Sequence, residues 1–346
     1  MESQSQSITY QNTDLISHLP ENLIHNILSF LPLRSIVATS TLSKYWVHIW
    51  KPLWIYNTRI DFNEEFTTSM KKNQYVQALN KLLDLHIQQK IKIFRHFFCP
   101  RDRYSSHLSR WIEFATQKQV EHLHLDMSGR VNHLESPDDD HRWWWIEKFR
   151  MPNCIFYCQS LSSLYLSCCI LNPPQDFKGL RSLKEVVLEG VSIQGEKLSQ
   201  VISGSPLLER LCISYCDSMG SVKLEHPRLK RLTFENCLDV EEVELRTPNL
   251  RNFQFVGGVS DKPNFRDISS LDDASLMLRT PDEADFQSLV WDNFMSKLSL
   301  VRSLAVVVRS THPAAGKRRS RSMFWCFKER RLSSLAAGSV YHFFLV

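Results

Sequence analysis

The sequence predicts an α/β fold: a small N-terminal module of three helices, then a solenoid of short repeats whose strands form a parallel sheet on a concave side. Three observations predict it. A dense apolar block of helical period occupies residues 17–50. An apolar hexad recurs at nearly constant intervals from residue 120 to residue 306. Glycine is scarce, 10 in 346 residues, which argues against a glycine-rich nucleotide-binding fold. The expected organisation is a polar tail (1–13), the helical module (14–52), and a connecting region carrying the first helices and strands of the solenoid (53–119). The repeats follow (120–309), then a basic tail without regular structure (310–346).

The helical module comes first. Pro20 suits the first turn of a helix, where its missing N–H costs nothing. From there Leu23, Ile24, Ile27, Leu28 and Leu31 recur at three- and four-residue steps, with Phe30 widening the stripe. Pro32 biases Leu31 away from helical angles and ends the element. A second short helix fits residues 33–42, with Ile36 and Val37 apolar. Ser43 is a good N-cap for a third, in which Trp46, Val47 and Trp50 share a face. Three short helices lie near the lower size limit for independent stability and carry more large apolar side chains than their own core can hide. The physical reading is a docking module that completes its burial on a partner.

The block LPENLIHNILSFLPLRSIVATSTLSKYWVHIW resembles the F-box of plant F-box proteins. It matches in Leu19-Pro20, in the Phe30-Leu31-Pro32 turn, in Leu42-Ser43-Lys44-Tyr45-Trp46 and in the closing Trp50. The resemblance implies binding to the Skp-type adaptor of a cullin–RING ubiquitin ligase. It implies as adaptor-facing residues Leu19, Pro20, Ile24, Leu28, Leu31, Pro32, Ile36 and Trp46, with their division between interface and module interior left open. An ordinary core-forming helical subdomain is the plainer alternative.

The connecting region reads as strand, helix, strand, helix. Residues 55–62 alternate weakly, and residues 69–88 carry Val76, Leu79, Leu82, Leu83 and Ile87 on one helical face. IKIFRHFF (91–98) reads as a strand. Leu108, Trp111, Ile112 and Ala115 mark a further helix that leads into the strand VEHLHLDM. This order is similar to that of plant F-box proteins with leucine-rich repeats.

The repeats carry the fold prediction. L-x-x-L-x-L appears as LSSLYL, LKEVVL, LERLCI, LKRLTF, LRNFQF and, more weakly, LDDASL, with VEHLHL and VRSLAV at the ends. Their middle apolar residues fall at 164, 186, 211, 232, 253 and 274, steps of 22, 25, 21, 21 and 21. That spacing lies within the roughly 20–29 residues of leucine-rich repeats. Cys169, Cys216 and Cys237 occupy the slot three residues after the last apolar position, where a small polar side chain can meet backbone groups as the chain turns. Stacking would join the apolar faces into one core. Strand alternation turns the intervening residues outward: Ser163, Tyr165, Glu185, Val187, Arg210, Cys212, Arg231, Thr233, Asn252 and Gln254. A solenoid of this kind usually binds there. The candidate target-binding residues are Tyr165, Glu185, Arg210, Arg231, Asn252 and Gln254, and their mixed chemistry names no ligand.

Between VEHLHLDM and LSSLYL the gap is 41 residues, about two repeats. It holds SPDDDHRWWWIEKF (136–149), read as a solvated acidic loop with tryptophans in core or cap contacts, a binding role being the alternative. The net charge of +5 is local: residues 317–331 hold seven basic residues and one acid, +6, which leaves about −1 for the remainder. The body thus makes no electrostatic case for nucleic acid. The tail admits three readings: a structureless extension, a basic localisation signal, or an aberrant gene end. Many relatives of the resembled family continue into a further small C-terminal domain, and no such pattern follows here.

No stretch approaches the ~20 apolar residues of a membrane span, and no signal-peptide pattern opens the chain. Nine cysteines therefore read as reduced thiols in a cytoplasmic or nuclear protein. His122 and His124 alternate with leucines on an open strand face and lack companions for a metal. Cys154–Cys158 and Cys212–Cys216 lack Cys-x-x-Cys pairing. No catalytic motif, cofactor or metal is expected. The resemblance thus implies a non-catalytic substrate-recognition subunit of an SCF-type (Skp–cullin–F-box) ligase. Two rivals are a repeat-based binding or receptor module outside any ligase, and a chromatin- or RNA-associated protein using the tail.

Overall fold

The computed structural model describes residues 16–128 (save 17 and 32), 147–258 (save 238 and 239), 263–267, 270–280, 301–310, 322–327 and 344–345. The acidic loop with Trp143–Trp145, Pro32 and most of the tail lie outside the described residues. The chain divides into two compact units, residues 1–58 with 68–88, and residues 59–67 with 89–346.

The first unit is helical. It contains α1 (Glu21–Ser29), α2 (Leu33–Ala38) with a 3₁₀ turn (Thr39–Thr41), and α3 (Lys44–Ile55). Thr39 and Thr41 hydroxyls donate to the Ile36 and Ala38 carbonyls at 2.6 and 2.8 Å, which closes the end of α2. Ser43 occupies the N-cap of α3 with extended backbone, but its hydroxyl makes no capping bond. The sequence assigns residues 69–88 to the approach to the solenoid. Their helix, α5 (Lys72–Leu85, numbered after α4 below), instead belongs to the first unit. The tie is specific: Trp54, buried, donates its indole N–H to the Leu82 carbonyl at 2.7 Å and meets the His86 ring edge-on at 5.9 Å. A fourth helix thus supplies burial that three short helices lack.

The second unit opens with β1 (Arg59–Phe62) and α4 (Glu64–Thr68), then β2 (Ile93–Phe97), α6 (Arg101–Gln117) and β3 (His122–Asp126). After β4 (Phe149–Arg150) come β5 (Ser163–Ser167), β6 (Cys169–Ile170), β7 (Glu185–Glu189), α7 (Gly195–Ser203) and β8 (Arg210–Ser214). Among the described residues the elements that follow are strands: β9 (Gly220–Glu225), β10 (Arg231–Glu235), β11 (Val240–Arg246), β12 (Asn252–Gly258), β13 (Pro263–Asp267), β14 (Asp273–Thr280) and β15 (Ser303–Ser310). The large sheet runs β1-β2-β3-β5-β7-β8-β10-β12-β14-β15, parallel throughout.

Its register is the repeat made visible. Leu123, Leu164, Val186, Leu211, Leu232, Phe253 and Ala274 form one inward row, each opposite the next. Leu125, Leu166, Leu188, Ile213, Phe234, Phe255 and Leu276 form the second, and all are buried. Each such side chain contributes roughly 1.5–3 kcal/mol on burial. His96 replaces the expected aliphatic residue in the second row. It is buried among Phe62, Phe94, Phe98 and Trp111, and burial pulls its pKa down to about 3.

One recurring turn links the repeats. The residue after β5, β7, β8 and β10 (Cys168, Gly190, Tyr215, Asn236) has φ of 52°, 61°, 55° and 47°. Glycine holds this left-handed region without strain, and the other three hold it against a steric penalty. Each of these residues donates its N–H to a carbonyl of the neighbouring strand, Cys168 to Glu189, Gly190 to Ser214, Tyr215 to Glu235 and Asn236 to Val256. The turn is thereby satisfied once per repeat. Just beyond it, the buried Cys216 and Cys237 thiols reach the Leu188 and Ile213 carbonyls at 3.6 and 3.7 Å.

The return side changes along the chain. Helices α6 and α7 serve the earlier repeats. Later ones use a second parallel sheet, β13-β11-β9. Gly195 permits the change of layer: a Cβ there would lie 2.0 Å from the Ser221 carbonyl oxygen. The tail needs a correction. Far from being structureless throughout, it contributes β16 (Ser322–Phe327) and β17 (Phe344–Leu345), which pair antiparallel at the end of the large sheet. The continuous apolar run from Met323 to Phe327, rich in aromatic residues, gives that segment a strand's composition despite its basic flanks.

Candidate docking surfaces

On α1 the apolar stripe is two surfaces side by side. Ile24 and Leu28 are 1% and 2% exposed and point into the unit with Trp46, Ile49 and Trp50. Leu23, Ile27 and Phe30 lie roughly 110° further round the axis at 100° per residue, and all three are exposed, Phe30 at 81%. Leu31 continues this edge, and Leu42 (67%) and Tyr45 are exposed elsewhere in the unit. Trp50 is buried, and its indole N–H has no acceptor among the described residues.

Of the residues expected to face an adaptor, Pro20 and Leu31 are exposed, and Leu19 and Ile36 are half-buried. Ile24, Leu28 and Trp46 are buried within the unit, on the interior side of the division that the sequence leaves open. Pro32 lies outside the described residues. Leu23, Ile27, Phe30, Leu42 and Tyr45 were missed as surface candidates, although the excess width of the stripe was visible in the sequence.

The concave face of the large sheet is organised in three outward rows. The first runs His122, Ser163, Glu185, Arg210, Arg231, Asn252 and Asp273. The second runs Asp61, Arg95, His124, Tyr165, Val187, Cys212, Thr233 and Gln254. The third, at the C-terminal ends of the strands, runs Asp126, Ser167, Glu189, Ser214 and Glu235. All six residues expected to bind a target lie in these rows, spread over five adjacent strands. Arg210 pairs with Glu185 at 3.0 Å, Arg95 with Asp61 at 3.2 Å, and the Asn252 amide donates to Asp273 at 2.8 Å. Such exposed pairs are worth little individually.

The densest cluster lies at β3, β5 and β7. The His124 and Tyr165 rings stack at 3.9 Å, 4° from parallel. The Tyr165 hydroxyl donates to Glu189 Oε2 at 2.5 Å. Burial, and then that bond, raise the tyrosine pKa above its ordinary value. Burial, reinforced by Arg95 and opposed by Asp126, lowers the His124 pKa to about 4, so the ring is neutral. Asp126 accepts from the Ser128 N–H at 3.0 Å and from the Ser128 and Ser167 hydroxyls at 2.6 and 3.1 Å. Sequence reading placed His124 and Tyr165 on the same open face. It could not pair them, because the long gap between the two strands hides their register. Among the described residues no cluster of His, Cys, Asp and Glu could hold a metal ion, and no helix is long and apolar enough to cross a membrane.

Comparison with known proteins matches both parts of the chain to known families. Residues 16–58 match the F-box domain family, and residues 82–329 match the At1g61320/AtMIF1 leucine-rich-repeat domain family. The chain is 30% identical over 217 residues to the F-box/FBD/LRR-repeat protein At1g13570 of Arabidopsis thaliana, covering 60% of this chain and 46% of that protein. It is 29% identical over 220 residues to the F-box/LRR-repeat protein At3g03360 of the same plant, covering 60% and 39%. The FBD-associated F-box protein At5g38590 matches at 29% over 211 residues, covering 61% and 46%. The chain thus spans less than half the length of these curated relatives.

Proposed function

Since the chain belongs to the plant F-box/leucine-rich-repeat family, we propose that it is a substrate-recognition subunit of an SCF-type ubiquitin ligase, acting in the cytoplasm or nucleus. The helical unit docks on a Skp-type adaptor, and through it on the cullin and RING subunits. The concave sheet holds a protein target. The chain performs no chemistry in this role. It raises the effective concentration of target lysines near charged ubiquitin by binding at two surfaces at once.

The observation that carries this reading is the exposed apolar edge of α1, which continues through Phe30 to Leu31, within the F-box match. Desolvating four large side chains yields several kcal/mol at roughly 1.5–3 kcal/mol each, enough to offset a substantial part of the cost of association. Leu19 and Pro20 set the entry to α1, and Ile24, Leu28 and Trp46 act from inside by fixing the edge's geometry. Co-precipitation with a plant Skp-type adaptor tests it, using the native chain, a Leu19→Ala/Pro20→Ala double variant and Leu31→Asp. Circular dichroism checks that each variant is folded. Binding by the native chain that is lost in folded variants supports the role; a folded native chain that does not bind leaves only a repeat-based binding module.

A further inference from the structure

The N-terminal ends of the central strands carry more positive charge than their own acids can neutralise. Just before the first outward row runs a rim row of Lys184, Glu209, Lys230 and Arg251, in which each carbonyl accepts the backbone N–H of the next residue along. In the first row Arg210 and Arg231 stand directly opposite each other on β8 and β10, beside Glu185 on β7. Both acids are already engaged, Glu185 with Arg210 at 3.0 Å and Glu209 with Lys230 at 3.0 Å. Lys184, Arg231 and Arg251 are exposed, and among the described residues none of them forms an ion pair. The surplus is felt at the rim's own acid: the Lys230 hydrogen bond and charge, and then the Arg228 and Lys184 charges, hold the Glu209 carboxyl below its ordinary value.

Two features separate this strip from a merely solvated surface. Like charges directly opposite on neighbouring strands are destabilising, yet Arg231 faces Arg210. Elsewhere in the outer rows opposite positions join complementary groups, Arg95 with Asp61 and Asn252 with Asp273. The strip is also bounded. Asp272 and Asp273 close it at β14, and Glu189 and Glu235 stand at the far ends of β7 and β10. From Lys184 to Arg251 is three strand spacings, about 14 Å at ~4.8 Å each, the span of about four residues of extended chain. A nucleic-acid strand, charged at every nucleotide, would run off the strip onto those carboxylates. A short acidic peptide stays within it.

On the reading that the concave face holds the target, we infer that the target is held through an acidic segment, an extended stretch with clustered aspartate or glutamate over about four residues, seated on Lys184, Arg231 and Arg251. The planar arginine fork matches a carboxylate bidentately, and the lysine adds a point charge.

The test is selection of a randomised nonapeptide library on the full chain, repeated on an Arg231→Gln/Arg251→Gln variant. Both side chains are exposed, so the fold is retained, and thermal unfolding confirms it. The native chain is expected to enrich peptides with clustered aspartate or glutamate, and the variant to bind them about tenfold more weakly, as for loss of two exposed charge contacts. Enrichment of basic or apolar residues, or no enrichment, overturns the inference. So does acidic enrichment that persists in the variant, as binding to the basic run at residues 317–331 would give. A polyuridylate decamer that binds the native chain and loses as much affinity in the variant would overturn the assignment to a protein segment. Non-acidic peptides lost on Tyr165→Ala or Gln254→Ala would overturn the acidic specificity and leave the concave face as the target site. Peptides insensitive to every one of these concave-face substitutions would overturn both.

Discussion

Among the described residues eleven large apolar side chains are exposed, and ten of them, from Ile16 to Ile87, belong to the helical unit. The repeat unit is several times larger, and among its described residues only Tyr157 is of this kind, its hydroxyl donating to Asp176. In the repeats each apolar residue has a neighbour of the same kind one strand away, so stacking consumes the apolar surface within the chain. Among the described residues the outer edge of α1 has no such neighbour and stays exposed. The comparison teaches what each unit is built to do. One presents exposed apolar surface, and the other presents polar rows over a completed core, the division on which the proposed function rests.

Substitutions can break this contrast. The largest expected effect is interior. Trp46→Ala in the helical unit and Leu211→Ala in the sheet should each cost about 2–5 kcal/mol of stability, read as a lowered urea midpoint. On the α1 edge the outcome should differ in kind. Phe30→Asp should leave the midpoint unchanged while weakening adaptor binding by about 2 kcal/mol or more, measured by calorimetric titration.

The repeat unit makes a pH prediction. His96 has its folded pKa lowered to about 3 by burial, whereas the unfolded chain titrates near 6.5. The unfolded state therefore takes up a proton first as pH falls. The stability that neutral His96 contributes is complete above about 6.5 and lost progressively down to about 3, amounting to about 2 kcal/mol by pH 5. His96→Leu should flatten that part of the stability–pH curve. A parallel curve for the variant would mean that His96 is not the group responsible. The smallest effect is expected on the outer rows: Arg210→Ala should change stability by less than about 1 kcal/mol.

The same contrast explains how far the sequence could be read. A strand offers a binary choice at each residue, so the alternation in LERLCI or LKRLTF assigns inside and outside without further information. The inward row through Leu164, Val186, Leu211 and Leu232 follows directly. A helix offers a continuous angle. The α1 stripe spans both an inner and an outer edge, and nothing in residue type tells Ile24 from Ile27. Amphipathicity showed that α5 buries one face, but not that Trp54 would draw it to the helical unit. Of the left-handed turn residues Gly190 and, less strongly, Asn236 are marked by their type. Cys168, Tyr215 and Asn236 adopt that backbone because the stacked repeats require it.

The central claim is that the outer edge of α1 is a partner surface while its inner edge is core. The most direct measurement is titration of the full chain against a plant Skp-type adaptor, native beside Ile27→Asp and Ile24→Ala, with the unfolding midpoint of each sample recorded. The account predicts that Ile27→Asp loses affinity at an unchanged midpoint and that Ile24→Ala lowers the midpoint. A native chain that fails to bind, or an Ile27→Asp chain that binds as well as native, would contradict it.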